Sequence, residues 1–465
     1  MKLLVIGAGI RTPLLLHGLI KRQEALGLKE ITLYDADPDR LDTMGAFARH
    51  VATQGGAKFT VTAEPDLVTA AQGASFVFGA IRVGQERHRI ADERVPLQYG
   101  VLGQETTGPG GFAMALRTIP VLLDYAKVLE AEVPDAWFVN FTNPAGLITQ
   151  ALTQQTNLRV VGICDTPTAM RRSVAAFLGH QESDLLIDYA GLNHLGWIRR
   201  VLVRGDDVLP TLIDRYEELA AQDHEWALFD PGLVRSLGML PNEYLYYFYS
   251  RDTAVANILA SGGTRGEQIL SINEPLWQEM STRIANGHPD AAVRAYEEKM
   301  LARSSSYMAR ESGREDGEEW GATGASAHSM LEDEGYAGLA LAVMEAAIRR
   351  QKTTLVLNVP NHGAISDLAP DDVVEVTCLV DEHGPTPLAQ MPLEDSIRPL
   401  VIAVNTYERL TVEAALTGSV ETAIAALVAH PLVGSYTLAQ KIVAGYLDAH
   451  RDYLPQFGST TYQTM

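Results

Sequence analysis

The first thirty-five residues limit the fold more than any other stretch. Lys2 to Ile6 reads as a short strand, apolar from Leu3 onward, that runs into Gly7-Ala8-Gly9. Pro13 to Leu26 reads as a helix with leucines on one face, and its proline suits a first helical turn. Glu30 to Tyr34 reads as a second strand, closed by Asp35. Strand, glycine turn, helix, strand and acid, in that order, begin a βαβ dinucleotide unit. Glycines let the backbone turn tightly and approach a pyrophosphate at the helix N-terminus. Gly7 and Gly9 supply the turn, and Arg11 can stack on or pair with phosphate. Asp35 would accept hydrogen bonds from the ribose hydroxyls and favour NAD over NADP by repelling a 2′-phosphate. The third fingerprint position holds Thr12 instead of glycine, so a Rossmann-like sheet without a dinucleotide is the bland alternative.

Phe76 to Ile81, Val139 to Phe141 and Arg159 to Ile163 continue the series of short apolar strands, with a helix around Met114 to Leu129. This alternation predicts an α/β fold with a doubly wound Rossmann-type sheet of the lactate/malate-dehydrogenase kind. At 465 residues the chain is too long for one ordinary core, and two packed domains are expected. Residues 1–190 would form the NAD-binding domain. Residues 191–465 would form a mixed α+β domain for substrate, metal and oligomerisation. There, Asp206 to Leu219 and much of Tyr244 to Met300 read as helices. Thr353 to Asn361 and Asp372 to Val380 read as strands of a second sheet. Ser396 to Phe457 reads as helical, broken near His430-Pro431, and Glu311 to Glu334 as a mobile loop or lid.

The formal charge of −21 argues against nucleic acid and anionic membranes as partners. A small anionic ligand remains compatible, because a local arginine cluster can outweigh the mean field. No apolar run reaches membrane-spanning length, and the N-terminus leads into a glycine turn instead of a signal-peptide cleavage site. The two cysteines, Cys164 and Cys378, are too few for a disulfide framework, and the composition suits a reducing cytoplasm.

Four stretches carry candidate chemistry. The insertion from Arg82 to Pro120 is rich in Arg, Glu, Gln and Gly, including Arg82, Arg89 and the run GQETTGPGG. It reads as a ligand-binding loop at the carboxyl edge of the sheet, or else as a solvated loop with a glycine hinge. Asn143, before Pro144, is held extended at a strand end. Cys164 ends the apolar run VVGIC at the same edge, and His194 follows about thirty residues later in GLNHLGW. A buried free cysteine is usually just a small hydrophobe, and Cys378 fits that description. Cys164 does not, because of its place at the strand end. One thiolate and one imidazole are too few for a structural zinc site. They suit an open transition-metal site whose remaining positions go to substrate oxygens and water.

Together these motifs resemble glycoside hydrolase family 4, the NAD- and divalent-metal-dependent glycosidases. The resemblance spans nearly the whole chain. It rests on Gly7-Ala8-Gly9, Asp35, RVGQERHRIADE, GQETTGPGGFAMALRTIP, NFTNP, GICDTP, GLNHLGW, PNEYLYYFY, NVPNHG and YERLTVEAAL. It implies cleavage of a glycoside by oxidation at carbon 3, elimination across carbons 1 and 2, water addition and re-reduction. Gly7, Gly9, Ile10, Arg11, Asp35 and Arg82 would hold NAD. Cys164 and His194 would hold Mn²⁺ or another divalent metal. Tyr244 would be the base at carbon 2. Asn143 and Asn193 match positions near metal and sugar hydroxyls, and Arg89 and Arg265 match positions that bind a 6-phosphate. Phospho-β-glucosidases of the family generally carry Asn after the metal cysteine. This chain has Asp165, the phospho-α-glucosidase pattern, where it would serve as acid for the leaving group. A sulfonate at carbon 6, as in a sulfoquinovoside, would also suit an arginine-lined pocket. A 2-hydroxy-acid dehydrogenase shares the nucleotide domain but needs a His–Asp relay, for which no obvious pair is present. The resemblance further implies a cytoplasmic homodimer or homotetramer acting on a small-molecule glycoside.

Overall fold

The computed structural model describes residues 1–314 and 336–458. Strands β1 (Lys2–Ile6), β2 (Glu30–Tyr34), β3 (Thr60–Ala63), β4 (Phe76–Gly79), β5 (Trp137–Asn140) and β6 (Arg159–Gly162) lie in the order β3-β2-β1-β4-β5-β6. All five neighbouring pairs among them are parallel. This is the doubly wound order, which reverses between β1 and β4 and opens a crevice at the carboxyl ends of the strands. A parallel sheet is covered on both faces, so its strands are continuous apolar runs. Leu3, Leu4, Val5 and Ile6 accordingly lose all but 1% or less of their exposure. Helix α1 (Thr12–Leu26) starts with Pro13 in its first turn and stops at Gly27, which takes a left-handed φ of 57°. The expected strands and helix of the nucleotide unit are therefore present within a residue or two.

Seven further strands extend the same sheet: β7 (Leu185–Leu192), β8 (Leu195–Val203), β9 (Asp206–Asp207), β10 (Leu240–Pro241), β11 (Thr353–Pro360), β12 (Val373–Asp381) and β13 (Gly384–Pro387). They run antiparallel in the order β6-β11-β12-β7-β8-β10, with β13 on β12 and β9 on β8. The two strands expected to form a second sheet thus lie in the middle of the first. The reason is the free edge of β6, whose backbone groups need partners. β11 joins it through one register pair, Asn358 opposite Gly162. A side chain at Gly162 would press on Asn358 Cβ at 2.8 Å and on the Thr149 hydroxyl, so glycine permits the join.

Two other expectations change. The insertion from Arg82 to Pro120 is not one loop: it holds helix α2 (Gln85–Leu97) and the start of α3 (Pro109–Glu132). α2 offers no apolar stripe for periodicity to reveal, because its buried face includes Arg89, Asp92 and Glu93. Those charges are paired. Arg117 of α3 grips Asp92 through both guanidinium nitrogens, at 2.7 Å each, and His450 Nε2 lies 2.8 Å from Asp92 Oδ1. Asp206 to Leu219 is not one helix but β9 followed by helices Leu209–Asp214 and Tyr216–Gln222. The C-terminal stretch is helical as expected, as Arg398–Thr417, Val420–Ala429 and Tyr436–Ala449, with the break at His430-Pro431. Of the expected lid, residues 315–334 lie outside the described residues. Among the described residues, no helix is long and apolar enough to cross a membrane.

The Asp92–Arg117 pair gives a stability prediction. Both side chains are 1% exposed. Arg117→Met removes the cation and leaves a buried carboxylate held only by His450, which costs about 3–5 kcal/mol. Urea unfolding should show a lower midpoint at unchanged slope. A shift under about 1 kcal/mol would mean that Asp92 is compensated elsewhere.

Candidate active site

One cleft of about 1600 Å³ follows the carboxyl ends of β1, β4, β5 and β6. Every residue singled out from the sequence lines it except Asn193. At one end, Gly7 leaves β1 with φ 100°, and a Cβ there would collide with the Ala80 carbonyl. The two oxygens of Asp35 tie this turn to the end of β2, accepting from Ala8 N at 2.8 Å and Asp37 N at 2.9 Å. Beside Gly9 the Cβ direction is open. The Arg11 guanidinium lies 5.6 Å from the centre of the Phe141 ring. A tight turn, an unobstructed glycine and a carboxylate at the second strand fit the pyrophosphate and ribose of a dinucleotide.

Beyond the nucleotide end the cleft becomes basic. Arg89 of α2 donates to Glu93 Oε1 at 2.8 Å and pairs with Glu105 Oε2 at 2.8 Å, and Arg82 also donates to Glu105. Burial would push the Glu105 carboxyl up, but Arg89, Arg82, Arg303 and Arg11 hold it well below the usual carboxylate range. Arg265 opens helix α5 (Arg265–Ala285). Its donors meet neutral groups: Ser306 Oγ at 2.7 Å, the Ser306 carbonyl at 2.9 Å and the Arg303 carbonyl at 2.7 Å. Burial, with Arg11 and Arg89 nearby, brings Arg303 down to about 9. Arg11, Arg82, Arg89, Arg265 and Arg303 gather here around Glu105 and Glu311, and guanidiniums grouped in this way suit an anionic ligand.

Cys164 and His194 lie in the middle. Cys164 is 5% exposed and precedes Asp165, the residue that starts helix α4 (Thr166–Leu178). Asn193 and His194 form the two-residue turn between β7 and β8, where Leu192 pairs with Leu195. His194 takes φ 62°, a left-handed conformation that costs a non-glycine residue about 1–3 kcal/mol. Its Nδ1 lies 3.1 Å from Thr106 Oγ1, which leaves Nε2 for another partner. Burial lowers His194 to about 3, so the ring is neutral at neutral pH. Tyr244 stacks flat on it, with ring centres 3.7 Å apart and planes 3° from parallel. Burial, reinforced by Glu243 and Cys164, raises the Tyr244 hydroxyl, and a hydrogen bond with Tyr307 offsets part of this. Burial likewise raises the Cys164 thiol, with Glu375 and Asp165 adding to it. A neutral imidazole with a free nitrogen and a buried thiol form a donor set for a borderline transition metal, whose binding displaces the thiol proton. Among the described residues, no group of three or more His, Cys, Asp or Glu side chains is placed to hold a metal ion.

Past Cys164 the cleft turns acidic, with Asp165, Asp223, Glu225 and Glu243 in its wall. Glu243 Oε1 accepts from the Thr166 hydroxyl at 2.7 Å, while Oε2 is buried without a partner. Burial, helped by Asp165 and Asp223, raises Glu243 to about 8. Asn193, expected beside the sugar, is turned elsewhere: its amide donates to Glu375 Oε1 at 3.1 Å. The tight turn aims His194 at the cleft and Asn193 at the sheet. Four cleft residues had no role assigned to them from the sequence. Glu105 lay inside the flagged GQETTGPGG and Glu243 inside PNEYL. Arg303 and Tyr307 had no signal, because ARSSSYMAR looks like an ordinary helix end.

A doubly wound nucleotide domain whose crevice also holds a thiol–imidazole pair and an arginine-rich end defines a dinucleotide-dependent, metal-assisted enzyme. The chain belongs to the family 4 glycosyl hydrolases. Residues 2–180 match the Family 4 glycosyl hydrolase model, and residues 189–433 match the Family 4 glycosyl hydrolase C-terminal domain. The chain is 31% identical to a 6-phospho-beta-glucosidase of Escherichia coli, over 98% of this chain and 97% of that protein. It is 27% identical to a phospho-alpha-glucosidase of Clostridium acetobutylicum, over 97% of each. The solved 6-phospho-beta glucosidase of Thermotoga maritima with NAD and glucose-6-phosphate superposes with a TM-score of 0.81. It is 26% identical, with 97% of this chain and 99% of that one covered.

Glu243 gives a pH prediction. Its folded value of about 8 lies above the unfolded value of about 4.3, so the folded protein holds a proton that the unfolded chain releases. Stability is then greatest below the unfolded value and falls as pH rises toward 8, by up to about 1.4 kcal/mol per pH unit for one proton. Glu243→Gln should flatten this slope in urea titrations of the metal-free protein. Parallel slopes for variant and wild type would show that Glu243 is ionised in the fold.

Proposed function

We propose that this protein is an NAD- and divalent-metal-dependent glycosidase that hydrolyses a 6-phosphoglucoside. The route is oxidation at carbon 3, elimination across carbons 1 and 2, water addition and re-reduction. The observation that carries this reading is the single cleft. It joins a dinucleotide turn, the Cys164, His194 and Tyr244 group and an arginine-rich end in one continuous wall.

Gly7, Gly9, Ile10, Arg11, Asp35 and Arg82 would hold NAD, which when bound supplies reversible hydride exchange. The Cys164 thiolate and His194 Nε2 would hold Mn²⁺ or a similar ion, which supplies a Lewis acid for sugar oxygens and positive charge beside Tyr244. Thr106 fixes the His194 ring by bonding its Nδ1. Tyr244 Oη takes the proton from carbon 2. In the metal-free site this hydroxyl is held above its ordinary value, which keeps it from acting as a base before the site is assembled. Asp165 gives a proton to the leaving oxygen, and Asn143 bonds sugar hydroxyls. Arg89 and Arg265, with Arg303 beside them, receive the 6-phosphate. The dehydrogenase alternative needs a His–Asp relay, whereas His194 in the middle of the cleft bonds to Thr106 and stacks on Tyr244. In this reading residues 1–190 bind NAD, and residues 191–465 bring His194, Tyr244 and Arg265 to it. A cytoplasmic homodimer or homotetramer completes the proposal, a location that suits a membrane-impermeant sugar phosphate.

Dialysed protein should cleave a chromogenic 6-phosphoglucoside only after NAD and Mn²⁺ are both restored, without net accumulation of NADH. Cys164→Ser should lose the response to Mn²⁺. Full turnover in excess chelator would refute the metal. A panel of α- and β-linked 6-phosphoglucosides, unphosphorylated glucosides and a sulfoquinovoside tests the substrate class. Turnover should be confined to the 6-phosphates, and preference for the sulfoquinovoside or a plain glucoside would overturn the phosphate assignment.

A further inference from the structure

Glu375 lies on β12, where no site residue was expected. It is opposite Gly191 of β7 and opposite Asn358 of β11. Glu375, Asn358, Tyr189 and Asn242 are each 0% exposed. No cation pairs with this carboxylate among the described salt bridges. Three neutral donors satisfy it instead: Asn193 Nδ2 at 3.1 Å and Asn358 Nδ2 at 2.9 Å on Oε1, and the Tyr189 hydroxyl at 3.1 Å on Oε2. A buried carboxylate held this way is a costly filling for a sheet, so what it connects matters.

The bonds run on from Glu375 in two directions. Toward one side, Asn193 is the neighbour of His194 in the β7–β8 turn, where His194 keeps its left-handed φ of 62°. Toward the other, the Tyr189 hydroxyl accepts from Asn242 Nδ2 at 3.0 Å, and Asn242 Oδ1 accepts from Tyr244 N at 2.9 Å. One carboxylate thus links the turn that presents His194 to the turn that presents Tyr244, and those two rings are stacked at 3.7 Å. The link also reaches β6, since Asn358 faces Gly162 two residues before Cys164.

We propose that Glu375 is a positioning residue that holds the His194 turn and the Tyr244 turn in fixed register, so that the metal-binding imidazole and the base remain aligned. This rests on the NAD- and metal-dependent reading above. Tyr189 and Asn242 form the arm toward the base, and Asn193 forms the arm toward the metal. The two arms make separable demands. Damage at Glu375 disturbs metal binding and proton abstraction together, whereas damage at Tyr189 disturbs only proton abstraction.

The test uses the full chain. Glu375→Gln keeps the shape but sets an amide against the Tyr189 hydroxyl, whose oxygen already accepts from Asn242. Free Mn²⁺, followed by electron paramagnetic resonance during titration, should report affinity weakened about tenfold. Turnover should fall more than KM rises, while NAD affinity by fluorescence stays at the wild-type value. Tyr189→Phe should bind Mn²⁺ as the wild type does but exchange the carbon-2 proton with deuterated solvent about tenfold more slowly. It keeps the proposal testable if the Glu375 variant does not fold. Wild-type Mn²⁺ affinity in Glu375→Gln, or unchanged exchange in Tyr189→Phe, overturns the positioning role alone. Equal loss of NAD and Mn²⁺ affinity in Glu375→Gln also overturns it, in favour of a general scaffold. Failure of the wild-type protein itself to bind Mn²⁺ overturns the metal reading, and the proposal falls with it.

Discussion

The open edge of β6 is the constraint on which the rest of the molecule depends. A doubly wound sheet leaves its last strand with unpaired backbone groups, and here that strand ends two residues before Cys164. Pairing β11 across Asn358 and Gly162 closes the edge. It also fixes where β12, β7 and β8 must lie, because each then pairs with the next. The β7–β8 turn is thereby carried to the same cleft as Cys164, although about thirty residues separate it from Cys164 in sequence. The candidate metal site is thus a consequence of closing a sheet, with Gly162 as the residue small enough to permit it.

Charge divides the cleft in a way the mean field conceals. The chain carries a formal −21, yet Arg11, Arg89, Arg265 and Arg303 gather at one end of the cleft, where burial, reinforced by the neighbouring guanidiniums, brings Arg303 down to about 9. The opposite end holds Asp165, Asp223, Glu225 and Glu243, and there Glu243 is pushed up to about 8. Both shifts express one physical fact: burial, reinforced by like charges in the same space, favours the neutral form. A ligand with an anionic tail and a hydroxylated remainder is oriented by that gradient. In the proposed reading the tail would lie toward the arginines, and the bond nearest Asp165 would face the acidic wall.

What the sequence made legible follows from how each segment is buried. β1, α1 and β2 were legible almost to the residue, because unbroken apolar runs, Pro13 and Gly27 mark them without help from the rest of the chain. β11 and β12 were legible as strands but not as members of the first sheet, since nothing local states which edge a strand joins. α2 was not legible, because Arg89, Asp92 and Glu93 are buried by pairing with distant partners, which hydrophobic periodicity does not register. His194 was found by its residue type and neighbours. Its left-handed turn, the diversion of Asn193 to Glu375 and the parts played by Arg303 and Tyr307 arise only from tertiary contacts.

The protonation of the Cys164, His194 and Tyr244 group is what a divalent cation would act on in the proposed reading. Burial leaves the Cys164 thiol and the Tyr244 hydroxyl above their ordinary values and the His194 ring uncharged at neutral pH. The group therefore avoids the cost of burying bare charges without a counter-ion. A divalent cation held there would reverse that balance by favouring the thiolate and the phenolate together. As the proposed base, Tyr244 would be activated by a cation bound beside His194, on whose ring it is stacked. In the proposed reading, metal loading and activation of the base would then be electrostatically coupled, and the stack of Tyr244 on His194 is the contact that brings them together.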